Sequence, residues 1–353
     1  MNQKVILKYD KSSMFSKILE WPSQLCQGWE IGDSMEPGIR FRKIKNIVFN
    51  GMGGSAIAGD VIRSLLGEHL PVPFVVNRGY YLPPFADKET LFIASSYSGN
   101  TEETLSATQQ AIQKGCKLVA VTSGGKLAEI AHEKHCPVYF LPSGYPPRAS
   151  LGYSLGVLLA FFSKLGVGPF SKKHVEQAAT FLEKEGKGLA DPARKENPVW
   201  SVAKQLKGRF PLLYAGTETL EPVGFRWKCQ FNENSKMHAA YIGIPEMNHN
   251  EIVAWKKLEA VNGFYSSLVA VFLRSQKDSP RIRLRMELTR ELVLKNRGKA
   301  IEVTGKGSSF LEEMLYLIYF GDLVSVFLAG LNKVDPTEIE NINYLKLHLS
   351  KTK

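Results

Sequence analysis

The segment Ser95 to Thr104, SSYSGNTEET, follows directly on an apolar run and sets hydroxyl side chains and a glycine ahead of a helix-like stretch. That combination suits the capture of a phosphate. Ser96, Ser98 and Thr101 can donate hydrogen bonds, Gly99 lets backbone N–H groups come close, and a helix N-terminus adds partial positive charge. An ordinary helix start, with Ser98 or Thr101 as the cap and Glu102 and Glu103 complementing the dipole, has the same composition. A second loop, Gly51 to Asp60, carries Gly51, Gly53, Gly54 and Ser55 after another apolar run. It is a poor dinucleotide fingerprint, because Ala56 stands where the third glycine belongs, and it lacks the Lys followed by Ser or Thr of a P-loop. Close backbone approach at Gly53 and Gly54, with the Ser55 hydroxyl, fits a sugar or its phosphate. A tight turn that needs its glycines only for packing reads equally well.

Both loops sit in a strand, loop, helix rhythm. KNIVFN leads into GMGGSAIAGD and VIRSLLGEHL; VPFVVN follows; TLFIASS precedes YSGNTEETLSATQQAIQKG; KLVAVTS precedes GGKLAEIAHEKH; and PVYFLP closes the series. Short apolar strands alternating with amphipathic helices predict a parallel sheet covered on both faces. Residues 169–200 read as a charged helical connector. A second alternation begins at FPLLYAG, with a helix expected through RWKCQFNENSKMHAA, strands at LVAVFL and KAIEVTG, and a long helix from about Phe310 to Leu331. The expected fold is α/β: two tandem domains, each a parallel sheet flanked by helices, over 41–168 and 201–353, after a lead segment of 1–40. No internal identity marks a repeat, so any duplication would lie in the fold.

A chain of 353 residues suits two cores, and 44% hydrophobic with 22% charged residues is a globular composition. The N-terminus, MNQKVILKYDKSSMF, lacks the long apolar core of a secretory signal, so a cytoplasmic location is expected. The apolar stretches 151–166 and 315–331 are interrupted by Gly, Ser and Lys164 and by Gly321 and Asp322 respectively; both read as buried helices and no membrane association is expected. Cys26, Cys116, Cys136 and Cys229 form no C-x-x-C pair, which predicts free thiols and no metal. The net charge of +11 is spread rather than striped, so it suits anionic metabolites better than nucleic acid.

Together, GMGGSAIAGD, SSYSGNTEETL and PPRASLGYSLG resemble the sugar isomerase (SIS) domain, and specifically the bifunctional phosphoglucose/phosphomannose isomerase family. The similarity continues through ENSKMHA, NHNEIVAW and DPTEIENINYLK, and so covers roughly residues 40 to 350. The resemblance implies two SIS-type domains and a hexose 6-phosphate whose phosphate is held by Ser55, Ser96, Ser98 and Thr101, with Gly54 lining the same pocket. Arg148 would stabilise an enediolate and steady a catalytic water; by itself, an arginine after two prolines is more often structural. Glu233 would be the base that moves a proton between adjacent carbons; by itself it is one acid on a solvated helix.

The resemblance also assigns ring opening to His249 and Lys346, of which the imidazole, titrating near neutrality, suits protonation of the ring oxygen. Read alone, they are a polar-loop histidine and a lysine on the solvent face of a last helix. In related enzymes that histidine crosses a subunit interface, which implies a homodimer with shared sites. Thr337 would leave room for the intermediate to rotate about the bond between carbons 2 and 3; a helix N-cap after Pro336 is its other reading. The reaction transfers no hydride and needs no Lewis acid, so no cofactor is expected. The implied activity interconverts glucose 6-phosphate and mannose 6-phosphate with fructose 6-phosphate through a cis-enediol. The alternatives are an isomerase for one epimer, or a non-catalytic sugar-phosphate binder.

Overall fold

A computed structural model describes residues 7–256 and 262–351. They fall into two compact units, one of Leu19–Lys184 and Ser309–Glu312, the other of the residues up to Ile18, Glu185–Ser308 and Glu313–Lys353. The lead segment, whose first six residues lie outside the described ones, folds as α1 (Met14–Leu19) and α2 (Trp21–Asp33).

In the first unit, β1 (Asn46–Gly51), α3 (Gly53–Leu66), β2 (Phe74–Asn77), β3 (Thr90–Ser95), α4 (Glu102–Gln113), β4 (Lys117–Thr122), α5 (Gly125–Glu133) and β5 (Val138–Phe140) alternate as the apolar runs require. The sheet order is β2-β1-β3-β4-β5, and every pairing is parallel. β3 is buried along its whole length, which is why its sequence is continuously apolar rather than alternating. α6 (Leu151–Lys164) packs on α2 with the two backbones nearly touching. A Cβ on Gly28 would lie 2.3 Å from the Tyr153 carbonyl oxygen, and one on Gly156 would lie 2.3 Å from that of Leu25. Small residues on both helices make that approach possible.

The chain continues through α7 (Lys172–Leu189) and α8 (Pro198–Leu206) to the second sheet. There β6 (Phe210–Gly216), α9 (Glu221–Glu233), β7 (Ala240–Ile244), α10 (Asn262–Ser267), β8 (Leu268–Arg274), α11 (Pro280–Lys295) and β9 (Lys299–Thr304) give the parallel order β7-β6-β8-β9. Two last helices follow, α12 (Phe310–Asn332) and α13 (Glu340–Leu349). The most apolar window of α12 is 89% buried and α6 is buried from Leu151 to Phe162, so both apolar stretches are core helices.

Three elements differ from the sequence expectation. The helix expected through RWKCQFNENSKMHAA stops at Glu233, because Lys236 takes a left-handed conformation (φ 52°) and the chain turns into β7. β7 was not anticipated; it is a half-buried edge strand, and its glycine and isoleucines give no clean alternation. The loop placed at Gly51 to Asp60 is almost entirely helix, since α3 begins at Gly53.

The four cysteines are free. Burial, with Asp87 nearby, pushes the Cys116 thiol up to about 11. Its thiolate fraction at pH 8 is then roughly a hundredfold below that of a thiol with the ordinary value. Iodoacetamide labelling followed by mass spectrometry should show Cys116 alkylated slowest of the four; labelling as fast as an exposed thiol would contradict this environment.

Candidate active site

β1 and β3 are neighbours whose last residues, Gly51 and Ser95, are paired in register. The chain leaves these adjacent strands toward different neighbours, which is the switch-point crevice where open parallel sheets bind ligands. The two hydroxyl-bearing segments therefore emerge side by side. Ser55 Oγ accepts from the Tyr97 N–H at 3.0 Å, and Ser95 Oγ donates to the Ser55 carbonyl at 3.2 Å. Ser96 Oγ and Thr101 Oγ1 are hydrogen-bonded at 2.9 Å, and Ser98 Oγ, exposed at the rim, accepts from the Asn100 N–H. Thr101 occupies the N-cap position of α4, yet its side chain makes no capping bond and turns to Ser96 instead. The capping reading of this segment is therefore not realised.

Gly99, at φ 68°, has no room for a side chain: a Cβ would stand 1.7 Å from the Gly124 carbonyl oxygen. Arg148 is 3% exposed and lies in a single 3₁₀ turn, Pro147–Ala149, that crosses the start of α3. Gly54 makes this crossing possible, since a Cβ there would sit 2.9 Å from both Arg148 N and Pro147 C. Two side chains to which the sequence assigned no role brace the turn and the stretch that leads into it. Gln24 Nε2 donates to the Ala149 carbonyl at 2.9 Å, and the Tyr97 hydroxyl donates to the Pro142 carbonyl while accepting from the Tyr145 N–H. Hydroxyls, open backbone and the turn that carries the buried Arg148 thus lie together at the strand ends, a set of residue types that suits an oxyanion.

In the second unit, Glu233 is the last residue of α9 and is half-buried. With Asn232, Lys236, Glu338, Ile339, Glu340, Asn341 and Ile342 it lines a cavity of about 420 Å³, a volume within the range of small-molecule sites. The helix end is held from below. Arg226 Nε and Nη2 donate to Asp322 Oδ1 and Oδ2 at 3.0 and 2.6 Å, and Gln230 Nε2 donates to Oδ1 at 2.8 Å. Past the helix, Asn234 Nδ2 donates to Ser325 Oγ, Ser235 Oγ to the Ser325 carbonyl, and Asn332 Nδ2 to the Ser235 carbonyl. The stretch that presents Glu233 is thereby fixed to α12 at four successive places.

The SIS domain profile matches residues 40–142, and that of the bacterial phospho-glucose isomerase C-terminal SIS domain matches 195–349. The chain is 37% identical to the bifunctional phosphoglucose/phosphomannose isomerase of Caldicellulosiruptor bescii over 96% of its own length and 100% of that protein's. This chain belongs to that family. The Aquifex aeolicus member is 38% identical over 87% of this chain and 91% of its own. The fold is also similar to that of tagatose-6-phosphate ketose/aldose isomerase from Escherichia coli, with a TM-score of 0.69 at 16% identity, covering 92% of this chain and 95% of that one.

The remaining expected residues fall within the matched residues 195–349, and they are not gathered at the Glu233 cavity. His249, itself exposed, ends a 3₁₀ turn, Glu246–His249, whose Met247 is buried, and Lys346 lies on α13, exposed along its whole length. Thr337 is on the segment leading into the cavity lining; its N–H donates to Asp335 Oδ1, and the N-cap of α13 is Ile339, so the capping reading of Thr337 is not realised. The second sheet's own crest, beyond β6 and β8, is filled with acid. Asp278 accepts from Thr219 Oγ1 at 2.5 Å and the Ser275 N–H at 2.9 Å; Glu313 accepts from the Gln276 N–H at 2.6 Å and from Ser275 Oγ at 3.0 Å, and burial raises its carboxyl.

Sequence reasoning gave no role to Gln24, nor to Tyr97 and Lys236 inside their motifs; the contacts of all three hold the expected residues in place. Only Lys236 left a signal: a lysine where a helix stop would favour glycine. One consequence of the first crest is open to measurement. Gly54→Ala should lower stability by about 1–3 kcal/mol, since its new methyl meets backbone that has to move. Its KM for a sugar phosphate should also rise through displacement of Arg148, and a thermal melt with steady-state kinetics checks both.

Proposed function

We propose that this chain interconverts glucose 6-phosphate and mannose 6-phosphate with fructose 6-phosphate through a cis-enediol, with no cofactor, as a homodimer. The observation that carries this reading is a carboxylate, Glu233, on a ligand-sized cavity in a chain that matches the Caldicellulosiruptor bescii bifunctional isomerase over that protein's whole length.

In this reading Ser55, Ser96, Ser98 and Thr101 hold the phosphate with the open backbone at Gly54, leaving the sugar chain to reach the reacting groups. His249 and Lys346 open the ring: the imidazole protonates the ring oxygen and the ammonium hydrogen-bonds the released hydroxyl. Glu233 then removes the proton from carbon 2 and returns it to carbon 1, while Arg148 offsets the negative charge that develops on the enediolate oxygens. Glucose and mannose 6-phosphates differ only at carbon 2, which is planar in the enediol, so one base serves both once the intermediate turns about the bond between carbons 2 and 3. Thr337 leaves space for that turn. The exposure of His249 supports a histidine that one subunit supplies to another.

The deciding experiment is conversion of each aldose phosphate to fructose 6-phosphate by purified protein in EDTA. Turnover of both is expected. Turnover of one alone would limit the enzyme to a single epimer, and binding without turnover of either would leave a sugar-phosphate sensor.

A further inference from the structure

Lys236 has a side chain that does more than end a helix. It is the third residue after α9, with φ 52°, a left-handed conformation that favours glycine and that a side chain occupies at a cost. A helix stop needs no lysine there. The ammonium carries three donors, and all three are used on backbone carbonyls: Glu233 at 2.6 Å, Asp335 at 2.8 Å and Glu338 at 2.7 Å. The first belongs to the residue that ends α9, where a cation also complements the helix dipole. The other two flank Thr337, one on each side. Lys236, Glu233 and Glu338 all line the same cavity.

The geometry points to Lys236 as a positioning residue that clamps the Asp335–Glu338 segment to the carboxyl end of the helix bearing Glu233, and thereby sets the balance between the two epimeric substrates. This rests on the proposed isomerase reading, in which Thr337 bounds the space where the enediol turns. Loosening the segment alters how far the intermediate turns before it is reprotonated. Glu233 takes the carbon-2 proton from both epimers, but from a different rotational state about the bond between carbons 2 and 3 in each. In the reverse direction it returns the proton to carbon 2 from those same two states. A change in the clamp therefore reaches the two substrates unequally, whereas a general loss of folded protein reduces both by one factor.

The test compares the full-length chain with Lys236→Met, Lys236→Gly and Lys236→Arg. Gly relieves the backbone strain without restoring the ammonium, so Met and Gly should behave alike if the side chain is what matters. Both should lose about ten- to a hundredfold in kcat, with KM little changed and the mannose to glucose rate ratio shifted by about threefold or more. Arg, which keeps charge and donors, should recover part of kcat and move the ratio back. Hydrogen exchange gives a readout independent of turnover: amides of 335–341 should exchange at least about tenfold faster in Met and Gly, with the strands of both sheets unchanged. Unchanged exchange at 335–341 overturns the clamp whatever the kinetics, and an equal fall on both substrates overturns its part in epimer balance. Faster exchange in a chain that turns over neither sugar supports the clamp and places the failure in the isomerase reading.

Discussion

Glu233→Gln should lower kcat on both glucose 6-phosphate and mannose 6-phosphate by about a thousandfold, with KM moving by less than about threefold. The amide has the size of the carboxylate and can hydrogen-bond the same neighbours, but it cannot take a proton from carbon. The loss therefore falls on the chemical step rather than on binding, which is assigned to groups on the first sheet. Deuterium exchange into carbon 2 in D2O reports formation of the enediol directly, and it should stop together with turnover. Retention of kcat within about tenfold would remove Glu233 from the role of base.

The second large effect is on stability. Asp322 and Arg226 are 0% and 2% exposed, and Asp322 accepts from both Arg226 and Gln230. Asp322→Ala strands a buried guanidinium, and removing one partner of such a pair costs about 3–5 kcal/mol. A fall in melting temperature of about 10 °C is expected by calorimetry or circular dichroism. Arg226→Met combined with Asp322→Leu should regain most of that loss, because apolar groups of similar volume tolerate the same burial without an unpaired charge. A single variant that melts within about 2 °C of the parent would show that the pair is not what holds α9 to α12. The ordering bears on the proposed chemistry because Arg226 lies within two helical turns of Glu233 on α9, and Asp322 ties that helix to α12.

Periodicity and glycine placement made the first sheet legible almost strand for strand, since each run such as TLFIAS is buried on both faces and bounded by turn residues. The second half was harder to read for two physical reasons. β7 is an edge strand and needs no apolar alternation, while α11 shows leucines to solvent at 284, 288 and 292 and buries Ile282, Met286 and Val293 on its other side. Apolar residues on two faces blur a helical pattern. At the candidate site, only the family resemblance singles out Glu233, whereas Ser96 and Thr101 could be picked out because their side-chain types carry chemistry. The braces could not. Gln24 acts from a segment read as a lead, and Tyr97 acts through backbone carbonyls and amides whose location no side-chain pattern encodes.

The acid-filled crest of the second sheet gives the duplicated fold an uneven division of labour. In the first sheet the hydroxyls at the strand ends bond one another and nearby backbone, whereas in the second the donors are taken by the protein's own carboxylates at Asp278 and Glu313. Those side chains act as resident anions: they satisfy the donors that a phosphate would otherwise satisfy and repel any phosphate that arrives. The scaffold is present twice and the proposed phosphate cradle once, which leaves the second copy, in that reading, to serve as a rigid mount for Glu233.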